Sequence, residues 1–271
     1  MSKVEKHIKR GALLIDDVKG VLNAYKNIIK WKDGCKVLDF GCGTGIITKN
    51  LLLPSLPEST QLVVGVDRRS KLIYNANKHN PPGSILTFRV GDILDHPDIR
   101  DFDYVVSFDY LHQVSDHKSV LANVKKVLKH HGEVFFHFSA ATNLFNICNL
   151  MSQDEKWRMY LKNFQTRSSP YENSIDIKKD IEILFKHLGF QVYTCSVHEK
   201  LHKLPLFEAI PVAISRCGLA IPKHLIDDFA KDFLNYMIKF NYNEVDEHNM
   251  EYMIFSCQIA VVYGKKTAQD E

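Results

Sequence analysis

Residues 36–48 read Lys36-Val37-Leu38-Asp39-Phe40-Gly41-Cys42-Gly43-Thr44-Gly45-Ile46-Ile47-Thr48, and their order decides the fold. Val37, Leu38 and Phe40 make a short β-prone run, Asp39 stands near its end, and Gly41, Gly43 and Gly45 follow at alternate positions. A buried strand that stops in glycines and turns into a helix leaves backbone N–H groups beside a helix N-terminus, where a ligand can approach the main chain closely. A plain strand-to-helix turn needs one glycine. Three at alternate positions, with an acid two residues before the first, predict a ligand loop. The spacing is not the dinucleotide fingerprint G-x-G-x-x-G, because Ile46 stands where its third glycine belongs.

Outward from this loop, residues 16–31 carry Val18, Val21, Leu22, Tyr25, Ile28 and Ile29 at helical spacing, which predicts a helix laid on the sheet. Strands are predicted at 36–40, 61–66, 85–90, 104–108, 133–138, 190–197 and 253–263. Between them fall a helix ended by Pro54, one at 70–80 begun by Ser70 and broken by Pro81-Pro82-Gly83, one from Asp116 to His131 stopped by Gly132, and one at 175–188 closed by Gly189. Strands alternating with helices imply right-handed crossovers and a doubly wound, mostly parallel α/β sheet. Asp39, Asp67, Asp92 and Ser107 all fall at the carboxyl ends of strands, where such sheets bind ligands. Asp67 lies where a nucleotide fold places the acid that accepts hydrogen bonds from ribose hydroxyls, and Arg68-Arg69 follow it. From Ala140 the rhythm changes. A mainly helical segment of about 140–175 holds Phe145, Trp157, Tyr160, Phe164 and Tyr171, and a second interruption, about 201–250, holds helices near 205–217 and 223–240. One domain over 1–271 with two lid insertions is the expectation.

Hydrophobic and charged fractions of 45% and 25% are those of an ordinary soluble globular protein, and a net charge of +3 with lysines scattered in pairs argues against a nucleic-acid surface. Asn80-Pro81-Pro82 resembles the stretch of base-amine methyltransferases, but it precedes the third strand instead of following the fourth and reads as a helix stop. The six cysteines lie far apart without a C-x-x-C, which predicts free thiols in a reducing compartment and no metal site. The charged N-terminus lacks an apolar signal segment and no stretch reads as a membrane span, so a cytoplasmic enzyme is expected.

The Asp39-x-Gly41-x-Gly43-x-Gly45 pattern resembles the nucleotide loop of class I S-adenosylmethionine-dependent methyltransferases. That resemblance implies a Rossmann-like sheet of seven strands, the last inserted antiparallel beside the fifth. It also implies cofactor contacts from Asp39, Gly41, Cys42, Gly43, Gly45, Asp67, Arg68, Asp92, Ile93 and Ser107, with Asp92 facing the adenine amino group. Over nearly its whole length the chain is further similar to the insect juvenile hormone acid methyltransferases. The residues that carry this are Trp31-Lys32, Val37 to Gly45, Ala76-Asn77-Lys78-His79, Phe88-Arg89-Val90, Asp92-Ile93, Ser107 to His112, Lys156-Trp157 and Ser169-Pro170-Tyr171. The last two groups lie outside the shared cofactor machinery. This likeness implies methyl transfer from S-adenosylmethionine to the carboxylate of a sesquiterpenoid acid.

An ionised carboxylate is already the nucleophile at neutral pH, so alignment and exclusion of water are needed, not a base. His112 and Gln113 are the candidate catalytic donors, and Leu14, Tyr110, Gln113, Phe145, Trp157 and Tyr171 the candidate substrate contacts. Two positions depart from the family: Gln113 replaces a tryptophan thought to hold the carboxylate, and Leu14 replaces a glutamine of similar role. Alternative readings are a divergent relative acting on another small molecule or an amine, and a cofactor- or lipid-binding protein without turnover. The expected partner is a small lipophilic acid, with no nucleic acid or membrane, in a monomer or homodimer.

Overall fold

The computed structural model describes residues 15–78, 80–81, 83–95, 99–162, 169–217 and 219–267, so that Leu14, His79, Pro82 and Phe164 lie outside the described residues. Four strands run parallel at its centre: β1 (Lys36–Phe40), β2 (Leu62–Asp67), β3 (Leu86–Val90) and β4 (Phe102–Phe108). β5 (Leu128–Thr142) continues parallel to β4. β8 (Glu251–Lys266) then inserts antiparallel between β5 and β6 (Phe190–Pro205), giving the order β3-β2-β1-β4-β5-β8-β6, with the short β7 (Asn243–Val245) on β8. The direction of winding reverses between β1 and β4, so the crevice beyond their carboxyl ends is where this sheet receives a ligand.

Alternating side chains divide the core by face. Leu38, Val64, Val105, Phe136 and Phe138 point to one side, where α4 (His117–Val127) and α7 (Ile177–His187) cover them with Val120, Leu121, Val124, Ile181 and Phe185. Val37, Val63, Tyr104, Val106 and Phe135 point to the other, under α1 (15–25), α2 (46–55) and α3 (Ser70–Lys78). The middle turn of α2, Thr48–Leu52, is a π-helix directly after the glycine loop. Asp116 caps α4 as expected, accepting from Ser119 N–H at 2.9 Å.

A separate apolar cluster lies beyond the sheet's carboxyl end. It joins α5 (Asn143–Met151), α6 (Arg158–Leu161), α8 (Leu206–Arg216) and α9 (Ile226–Lys239) to Leu204, Met253 and Phe255 of the long strands. β6 and β8 each have 16 residues and pair from Phe190↔Lys266 to Pro205↔Tyr252, with a one-residue shift in register between Val192 and Thr194. They span about 50 Å and carry both cores. β6 runs on past the expected end at Val197: Glu199, Lys200 and Lys203 are poor strand formers, but pairing with β8 overrides that preference. Likewise Gly132 does not end α4, which stops at Val127. His131 takes the left-handed turn (φ +60°), and Gly132 makes room for Leu128, whose Cδ2 lies 2.8 Å from where a Cβ would stand. No helix among the described residues is long and apolar enough to cross a membrane.

Trp157 anchors the distal cluster. It is fully buried, meets Phe229 edge-on at 5.3 Å, and donates its indole N–H to Asp232 at 2.9 Å, while Lys156 pairs with the same carboxylate at 2.8 Å. Trp157→Ala removes ring and hydrogen bond together and is expected to cost about 3–5 kcal/mol, read from chemical denaturation. A loss under 1 kcal/mol would show that the cluster repacks freely.

Candidate functional site

At the tip of β1 the N–H groups of Gly41 and Cys42 both donate to Val66 O, at 2.8 and 3.0 Å, and bend the chain across the end of β2. Gly41 and Gly43 adopt φ of +76° and +59°, the left-handed region that strains any side chain. Their surroundings differ. A Cβ on Gly41 would stand 2.1 Å from the ring of Tyr110, whereas one on Gly43 would meet nothing within 4 Å. Gly43 therefore presents bare backbone to an open face. Gly45 is packed shut against Phe88.

Asp67, 1% exposed, closes the loop from the β2 side. Its carboxylate accepts from Gly43 N–H at 3.1 Å, from Arg69 N–H at 2.9 Å, and from the Arg69 guanidinium by two bonds of 3.0 Å. Burial pushes this carboxyl up, but the bonds and charge of Arg69, with the Gly43 N–H, outweigh it and hold the group below the usual carboxylate range. Asp39 is the contrasting case. It is buried with one bond from the Thr48 hydroxyl at 2.6 Å. Burial lifts it to about 7, the Thr48 bond offsets part of that, and the Asp67 charge adds to it. One ionised and one half-protonated carboxyl thus bracket the loop.

The other expected cofactor residues are placed as follows. Asp92 follows β3 and accepts from Leu94 N–H at 3.1 Å, turning the chain so that Ile93 is buried and its carbonyl takes the Asn123 side-chain N–H at 2.9 Å. Ser107 Oγ donates to Phe40 O at 2.9 Å, so its hydroxyl serves to tie β4 to β1. Cys42 turns its sulfur inward, 3.0 Å from where a Cβ on Gly65 would stand, and burial followed by the charges of Asp39 and Asp67 raises the thiol far above its ordinary value. It offers only main chain to the loop. Arg68, the arginine expected at the cofactor, is exposed, and the one that grips Asp67 is its neighbour Arg69. Its signal was the two-residue spacing after Asp67, which lets both its backbone and its guanidinium fold back on one carboxylate.

Beyond β4, Asp109 adopts φ +54° and donates its N–H to His137 O at 2.8 Å. The single helical turn Leu111–Gln113 follows, with His112 buried, its Nδ1 3.4 Å from Asp109 Oδ1 and its Nε2 3.3 Å from Gln113 Nε2. Tyr110 turns towards the glycine loop. Its ring lies on Gly41 and meets Phe40 edge-on at 5.8 Å, and burial, followed by the charge of Asp92, lifts its hydroxyl to about 12. Phe145 and Trp157 are consumed by the distal core. Tyr171 packs on His117 at 5.2 Å, and its buried hydroxyl finds no hydrogen-bond partner among the described residues. Next to it, Glu172 takes Thr142 N–H on Oε2 at 3.2 Å while buried Oε1 finds none. Burial pushes Glu172 up to about 8, so it is mostly protonated at neutral pH. Nothing in the sequence marks Glu172 except its place after the Ser169-Pro170-Tyr171 match.

Residues 31–207 match the family model described as "Methyltransferase domain", and the chain belongs to that family. It is 27% identical to a juvenile hormone acid O-methyltransferase of Bombyx mori, with 98% of each chain covered. With one of the same name from Drosophila melanogaster it shares 24% identity, over 93% of this chain and 88% of that protein. Among solved structures, the YcgJ protein of Bacillus subtilis shares the fold with a TM-score of 0.57 at 16% identity, covering 91% of this chain and 98% of that one. The cofactor of this methyltransferase is S-adenosylmethionine.

The raised Glu172 has a measurable consequence. A carboxyl whose pKa rises from 4.5 to about 8 on folding leaves stability untouched below 4.5 and erodes it as pH climbs towards 8. Glu172→Gln is therefore expected to gain about 1–3 kcal/mol over the parent at pH 8 and much less at pH 5, measured by denaturation at both. An equal gain at both would show that the carboxyl ionises normally.

Proposed function

We propose that this chain methylates the carboxylate of a small lipophilic acid of the sesquiterpenoid, juvenile hormone acid type, giving the methyl ester and S-adenosylhomocysteine. The observation that carries the acceptor class is the reach of the similarity. It covers the distal helices as well as the cofactor half, 98% of the chain against the Bombyx mori enzyme.

The residues present fit the cofactor: Gly43 offers uncovered backbone in a turn that only glycine enters without strain, and acids stand at the tips of β1, β2 and β3. When bound, the cofactor supplies a methyl group made electrophilic by a sulfonium. The main chain at Gly43, Asp67 for the ribose and Asp92 for the adenine would hold it, and a cation beside the loop would draw the remaining proton from Asp39. On the acceptor side the carboxylate needs donors in a water-poor place, since an unpaired buried charge is costly. Gln113, held by His112, supplies an N–H group where the family has a tryptophan. The Tyr171 hydroxyl and the protonated Glu172 are buried donors still lacking a partner among the described residues. Helices of 140–175 and 201–250 act as the lid that excludes water, with Phe145 and Trp157 giving it a core.

The test is a radiolabelled methyl-transfer assay on farnesoic and juvenile hormone acids, run beside calorimetric titration with S-adenosylmethionine. Ester formation supports the proposal; tight cofactor binding with no ester from any lipophilic acid would favour a binder without turnover. Asp67→Ala is expected to weaken cofactor binding about 10- to 100-fold through lost charge-assisted hydrogen bonds, by the same titration. Gln113→Trp is expected to raise kcat/KM on the sesquiterpenoid acid several-fold, and an unchanged value would remove that side chain from the account.

A further inference from the structure

An ionised carboxylate offers about four lone-pair positions. On Asp67 four N–H groups already point at them: those of Gly43 and Arg69 from the main chain, and two from the Arg69 guanidinium. A ribose diol that seeks the same oxygens must remove some of these donors. The main-chain bonds hold the loop together and are not disposable, whereas the guanidinium arrives on a side chain 49% exposed and can leave for water. Tyr110 packs on the neighbouring part of the loop. Its Cβ and Cγ cover Gly41, and the charges of Asp92, Asp67 and Arg69 all act on its hydroxyl.

We infer that Arg69 is an internal competitor for the ribose position, and that the cofactor enters by displacing the guanidinium from Asp67. The inference rests on the cofactor reading above and adds a specificity term to it. A nucleoside lacking the diol makes no bond to Asp67 and does not compete with Arg69 for its oxygens. Apparent affinity falls by the fraction of molecules in which the position is free, so a pair closed about nine-tenths of the time weakens binding about tenfold. Salt should act in the unusual direction. Screening loosens a half-exposed ion pair, so a neutral nucleoside binds better as ionic strength rises.

The experiment is calorimetric titration of the full chain at pH 8 with 5′-methylthioadenosine, which is uncharged, and with its 2′,3′-dideoxy analogue. Arg69→Leu is expected to bind 5′-methylthioadenosine about tenfold tighter than the parent and the dideoxy analogue no tighter. Arg69→Gln serves as a second variant should the leucine not fold. The parent alone is expected to gain affinity for 5′-methylthioadenosine between 50 and 500 mM salt, which needs no variant. Weaker or unchanged binding by the Arg69 variants, or a parent affinity that falls with salt, overturns the displacement. If parent and variants bind equally well, the competitor is lost and the cofactor reading stands; if none binds either nucleoside or S-adenosylhomocysteine, both fall.

Discussion

The hydrogen bond from Gly43 N–H to the buried carboxylate of Asp67, 3.1 Å long, is the joint on which the molecule's chemistry turns. It fastens the loop after β1 to the tip of β2, and each partner demands something of its surroundings. Gly43 must lie at positive φ, which sets the glycine spacing. Asp67 must stay ionised although buried, which brings Arg69 back onto it. Removing water from a lone carboxylate would raise its pKa, as happens at Asp39 a short distance away. The parallel sheet imposes this arrangement, since all of its central strands end on one side and leave their last polar groups facing the same crevice.

Sequence reading recovered what repeats or what a single residue type dictates. The sharp glycine turn after β1, the acids at strand ends, the Asp116 cap and the antiparallel insertion of β8 were all legible. It failed where tertiary contact overrides local preference. The second half of β6 contains Glu199, Lys200 and Lys203, residues that avoid strands until a 16-residue partner pairs with them. Trp157 has the composition of a substrate wall, but only the fold shows Asp232 and Phe229 closing on it. Tyr110 follows β4 directly, and no spacing rule tells whether such a ring turns to the acceptor or back over the glycines. Glu172 is one acid among many until burial removes its solvent.

The two cores have different tasks. Beneath the sheet's carboxyl end, packing on both faces fixes the strand tips to within a hydrogen bond's length. Above it, the distal helices share no strand with β1 to β4; they lean on the far ends of β5, β6 and β8. The segment bearing Tyr171 and Glu172 lies between them, with the Tyr171 ring against Phe138 of the lower core and Glu172 bonded to Thr142 at the threshold of α5. Polar groups in that seam are thus held between two packed cores.

β6 is the last strand of the sheet, and among the described residues it pairs with β8 alone. A long border with unclaimed amides invites another chain to add itself, the usual beginning of aggregation. Here the border is guarded. Lys200 reaches Asp17 of α1, Lys203 reaches Glu244 of β7, and Pro205 ends the strand. The same charged residues that hide the strand from sequence reading tie it to α1 and β7.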